Sequence, residues 1–111
     1  MTTKEFSSSA SPYEISHDKL VAAMEDGSQA IVDVREPHEF AGGHIPGAVN
    51  LPLSSFDPED LPSGRPVVLI CAAGIRSARA LRQTLDAGVA DARHYAPGMN
   101  GWRAQGGPVT L

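Results

Sequence analysis

Cysteine is nearly missing from this chain: a single one, Cys71, stands among 111 residues. One thiol cannot close an internal disulfide, so a reducing, cytoplasmic setting is expected. The opening MTTKEFSSSASP adds to that expectation, since it carries neither the apolar stretch nor the cleavage pattern of a secretory leader. Long apolar runs are absent too. None approaches the ~18 residues that cross a bilayer, and no membrane partner is expected. Positive charge is scarce as well: nine Lys and Arg against thirteen Asp and Glu leave a formal charge of −4. Without an overall positive field, nucleic acid is not an expected partner, and any anion must be held locally. His17, His38 and His94 have no carboxylate or cysteine companions at ligand spacing. Neither a metal site nor a cofactor is therefore expected.

What the chain does have is punctuation, eleven glycines and nine prolines that cut it into short elements. The first stretch is Ser/Thr-rich and aperiodic, which reads as a flexible tail over 1–12 followed by a single domain over 13–111. YEI at 13–15 suits a short strand. Ser16 suits the N-cap of a helix that carries Leu20, Val21 and Met24 on one face and stops at Gly27. AIVDV at 30–34 reads as a strand, and REPHEFAGG after it as one helical turn opened by Pro37 and ended by Gly42 and Gly43. GAVNLP suits a short strand, and SSFDPEDLPSGRP a turn-rich surface with one helical turn. VVLI at 67–70 shows no alternation, the habit of a strand buried on both faces of a parallel sheet. Ser77 to Ala87 predicts an amphipathic helix with Ala78, Leu81 and Leu85 on its stripe, ended by Gly88. ARHY is the last strand, and GMNGWRAQGG a short helix with Trp102 in the core. Strands alternating with helices predict an α/β layer fold.

The thiol falls at a telling place in this pattern. Cys71 ends the buried strand and a helix follows about five residues later, so CAAGIR is a strand-to-helix loop at the sheet edge where α/β proteins bind ligands. Ala72, Ala73 and Gly74 are small enough for the backbone to fold around the sulfur and turn its amides inward, forming a cradle for negative charge. A thiol held there ionises below its free value of ~8.5. Arg76 places a cation at the start of a helix, unfavourable against the helix dipole unless an anion sits there. The competing reading of Cys71 as a small buried hydrophobe leaves the anion-binding loop without a purpose.

Three blocks, DVREPHEFAGGHIPGAVNLP, VVLICAAGIRSARA and GMNGWRAQGGPV, resemble in order and spacing the signatures of single-domain rhodaneses, a family of sulfurtransferases. The resemblance runs from about Tyr13 to Val109. It implies a three-layer α/β fold whose central, mostly parallel five-stranded sheet carries helices on both faces. It also implies that Cys71 is the nucleophile, taking a sulfane sulfur as a persulfide, and that Cys71, Ala72, Ala73, Gly74, Ile75 and Arg76 form the active-site loop. The donor would be thiosulfate or a small-molecule or protein persulfide, and the acceptor cyanide, glutathione, thioredoxin or another thiol. The chemistry agrees, because a low-pKa thiolate attacks sulfur without a general base and no second cysteine can trap the product.

Two alternatives stand beside this reading: a non-catalytic or regulatory module of the same family, and a phosphatase or arsenate reductase. The latter enzymes are similar in fold but use C-x5-R, whereas Cys71 to Arg76 is C-x4-R, a ring sized for one sulfur atom. Ala72, Ala73 and Ile75 supply no charge to the loop, so weak affinity for a small dianion is expected. Asp33 and Arg35 alternate onto one face near the functional edge and read as an ion pair bracing the loops; the resemblance also allows Arg35 to approach substrate. Glu39 reads as a further brace and Ser77 as loop support. His44 is expected to pack beneath a turn with a satisfied ring nitrogen, not to act as an acid or base.

Overall fold

The computed structural model describes residues 11–111. Apart from Ser11 and Pro12, the tail expected over 1–12 lies outside the described residues. Helix α1 (His17–Asp26) starts where Ser16 Oγ accepts the Lys19 amide at 3.2 Å and stops at Gly27, whose φ of 70° is left-handed. Strand β1 (Ala30–Asp33) follows, then α2 (Pro37–Ala41), opened by proline and by reciprocal capping between Glu36 and Glu39. Strand β2 (Val49–Asn50) leads into two 3₁₀ turns, Leu53–Ser55 and Pro58–Asp60, where one helical turn was expected. The chain ends through β3 (Val67–Ile70), α3 (Ile75–Asp86), β4 (Ala92–His94) and α4 (Gly98–Ala104).

The strands lie in the order β2-β1-β3-β4, all parallel. β1 and β3 pair along their whole length, from Ala30 beside Val67 to Asp33 beside Ile70, and every residue of both is buried. Alternation divides their side chains between two cores. Ile31, Val68 and Ile70 pack with Leu20 of α1 and with Met99 and Trp102 of α4, while Val32, Leu69 and Cys71 pack with Ala80 and Leu81 of α3. Helices therefore cover both faces, and the apolar run without alternation has its explanation. No helix of the described residues is long and apolar enough to cross a membrane.

Two expectations need correction. Among the described residues the sheet has four strands, not five: residues 13–15 touch β4 through one parallel bridge, Glu14 to His94, with the Ile15 and His94 amides bonding to His94 and Tyr13 carbonyls at 3.1 and 2.9 Å. The Tyr13 amide, which would carry the ladder on to Ala92, bonds instead to Ser11 Oγ at 3.2 Å, and at the other end the chain turns into α1 at His17, so the pairing stops at one bridge. Helix α3 starts two residues earlier than expected, and its buried face is Ser77, Ala80, Leu81 and Thr84, with Ala78 exposed. The hydroxyls hide this stripe from a reading of apolar residues. Thr84 Oγ1 donates to the Ala80 carbonyl at 2.8 Å and so enters the core already satisfied.

Candidate active site

Cys71 comes directly after β3, at the carboxyl edge of the sheet, with only 1% of its surface exposed. Its side chain packs against α3, and its sulfur is also held by polar groups. Sγ accepts the Gly74 amide at 3.1 Å and the Ser77 amide at 3.3 Å, and lies 3.5 Å from Ser77 Oγ. The geometry follows from the chain. Gly74, at φ 95°, takes a left-handed turn that aims its own amide back at the sulfur and launches α3. Ser77 then sits in the first turn, where amides have no helical partner, and its free N–H goes to the sulfur. Burial pushes the Cys71 thiol up, but the Ser77 hydroxyl and the Ser77, Ala73 and Gly74 amides together outweigh it and leave the thiol below its ordinary value. The cradle is built for an anionic sulfur.

A second element holds the loop open. The first free amides of α4 reach across to it, Met99 N–H to the Cys71 carbonyl at 2.8 Å and Asn100 N–H to the Ala72 carbonyl at 3.0 Å. With those carbonyls turned outward, the loop amides face the sulfur. The approach is so close that a Cβ on Gly98 would run into the Ala72 carbonyl. Nothing in the local pattern of CAAGIR signals this clamp; Gly98 at the head of α4 was its one trace.

Arg76 departs from expectation. Its guanidinium is engaged on both arms by Glu39 of α2, at 2.7 and 3.0 Å, and so is not a free fork waiting for an anion. The hydrogen bond from Arg76 is the main cause that holds the Glu39 carboxyl at about 2, against an ordinary value of 4.5. The same pairing raises Arg76. Because the acid is depressed, the pair contributes fully above pH 4.5 and is lost as pH falls through about 2. With the two side chains 32% and 28% exposed, solvent screens that contribution. NMR titration of the Glu39 carboxyl is expected to give a midpoint near 2, and Arg76→Ala to return it toward 4.5; an unmoved midpoint would mean that another group sets it. The Glu36 carboxylate also acts on Arg76, while on the loop itself Ala73 is exposed and Ile75 is 70% exposed.

Comparison with known proteins settles what kind of domain carries this cradle. The family model described as Rhodanese-like domain matches residues 16–105. The chain belongs to the rhodanese-like family. It is 44% identical over 81 residues to the uncharacterized protein slr1261 of Synechocystis, matching 71% of this chain and 45% of that protein. A protein of Allochromatium vinosum named sulfurtransferase is 31% identical over 99 residues, 86% of this chain and 92% of its own length. Among solved structures, a rhodanese-related protein of Thermoplasma volcanium superposes with a TM-score of 0.79 at 29% identity, covering 89% of this chain and 98% of that one. The chain spans about half the length of the first two curated relatives, 45% of slr1261 and 59% of YqhL of Bacillus subtilis.

Arg35, Asn50 and His44 of this rhodanese-like domain are engaged with groups other than the sulfur. Arg35 lies over Asp33, Nη2 to Oδ2 at 2.7 Å, and also donates to the Gly43 carbonyl at 2.8 Å, the ion-pair brace expected of these two residues. Asn50, whose role no local pattern signals, donates to the Asp33 and Arg35 carbonyls at 2.9 and 2.8 Å and ties β2 to the same brace. His44 stacks on Phe40 at 3.7 Å, and its Nδ1 lies 2.8 Å from the Phe40 carbonyl. His94 is the larger omission. Its Nδ1 lies 2.8 Å from Ser77 Oγ, one hydroxyl away from the sulfur. Among the described residues no cluster of three or more His, Cys, Asp or Glu could hold a metal.

Proposed function

We propose that this domain is a sulfurtransferase that carries sulfur on Cys71. The observation behind the reading is the set of amides and hydroxyl around Cys71 Sγ, which favours an anionic sulfur in a buried pocket. The thiolate attacks the sulfane sulfur of a donor. A new S–S bond forms, the bond to the donor breaks, and the donor leaves with the electron pair as sulfite or a thiolate. An acceptor nucleophile then attacks the outer sulfur and Cys71 departs as the thiolate, so neither step needs an oxidant, a reductant or a general base. With no second cysteine in the chain, the sulfur must leave to an external acceptor.

The rim supports a choice among donors. Arg76 is neutralised by Glu39, while Ala73 and Ile75 present apolar surface, an arrangement better suited to a persulfide on glutathione or a protein than to free thiosulfate. Intact-mass measurement after incubation with each donor tests both levels. The expected result is gain of one cyanide-labile sulfur on Cys71, faster from glutathione persulfide than from thiosulfate. No adduct from any donor would overturn the sulfurtransferase reading. A thiosulfate preference would overturn only the choice of donor.

A further inference from the structure

His94 is buried, 8% exposed, and lies on the last strand, outside the active-site loop. Burial lowers its pKa, with only the Glu14 carboxylate opposing, so at neutral pH the ring holds one proton and two nitrogens to choose from. The groups that face it are Ser77 from α3, Glu14 from the segment bridged to β4 and, beyond the Ser77 hydroxyl, Cys71 from the end of β3.

Ser77 Oγ has a single proton and three acceptors within reach: His94 Nδ1 at 2.8 Å, the Gly74 carbonyl at 3.2 Å and Cys71 Sγ at 3.5 Å. The ring decides between them. If Nδ1 is bare, the short contact draws the hydroxyl proton to the nitrogen, and the sulfur anion faces an oxygen lone pair. If Nδ1 carries the proton, it donates to Ser77 Oγ and frees the hydroxyl to donate to the Gly74 carbonyl or, once Cys71 is ionised, to the sulfur in a charge-assisted bond. The second arrangement is the one an anionic Cys71 stabilises.

We infer that His94 is a positioning residue, donating from Nδ1–H to Ser77 Oγ so that the Ser77 hydroxyl points at Cys71 Sγ. The inference rests on the proposed reading of Cys71 only in that the thiolate is the working form. Its test uses alkylation, which needs no sulfur donor, so it can fail while sulfur transfer stands, and the reverse.

His94→Leu is expected to slow iodoacetamide alkylation of Cys71 roughly tenfold at a pH below the thiol's midpoint, the scale of one hydrogen bond to a charged group. His94→Asn, whose amide can donate from nearly the same position, restores most of the rate. In a Ser77→Ala background the leucine change adds nothing, because the relay is already cut. No slowing, or the same slowing without Ser77, would overturn the inference. In the unsubstituted protein, proton–nitrogen correlation NMR is expected to find the His94 proton on Nδ1. A proton on Nε2 with Nδ1 bare would overturn it even were the leucine variant unable to fold.

Discussion

The Cys71→Ser variant is expected to lose sulfur transfer by on the order of 10³-fold or more, to the floor of the assay, while staying folded. A serine hydroxyl is not ionised at neutral pH and cannot form a persulfide, and the chain has no other cysteine to take over. The fold has little to lose. Serine Oγ can still accept from the Gly74 and Ser77 amides that now hold the sulfur, which keeps the change within about 1 kcal/mol. Turnover with a persulfide donor and a urea midpoint, measured on the same preparation, check the two halves. Transfer retained by a folded variant would place the nucleophile elsewhere. A large loss of stability would show that the sulfur packs the core more than it serves as a reactive group.

Gly98→Ala is expected to destabilise the protein by about 3 kcal/mol, of which 1–2 is the left-handed conformation and the rest the steric cost of a methyl in a tight space. Gly98 has φ 65°, and the added Cβ meets the Ala72 carbonyl, which also accepts the Asn100 amide. The loop must move away, taking with it the arrangement that turns its amides to the sulfur. For a domain of this size that predicts a fall in Tm of about 15 °C, with slower alkylation of Cys71. Gly64→Ala is the control: at φ 89° it has the same backbone penalty, but its Cβ would meet no atom within 4 Å. It should cost only about 1–2 kcal/mol and leave Cys71 untouched. Equal losses in the two variants would mean that the contact between α4 and the loop contributes nothing.

The outline of this site was legible in the chain because its first causes are local. An apolar run without alternation makes β3, a left-handed glycine turns the chain, and the free amides of a new helix meet a thiol only a few residues earlier. Each of those effects acts over a handful of residues, so sequence alone placed Cys71, the cradle and the α/β class. The charge and proton around the sulfur were decided by pairs remote in sequence. Arg76 meets Glu39 across 37 residues, Ser77 meets His94 across 17, and α4 reaches back to the Cys71 and Ala72 carbonyls. These partners are brought together by the order and register of β1, β3 and β4 and by the packing of α2 and α4, which no local pattern encodes. Hence Arg76 read as a free anion site and is paired, and His94, read only for the metal companions it lacks, lies one hydroxyl from the sulfur. Local backbone preferences determined where the thiol sits, and tertiary packing determined what electrostatic company it keeps.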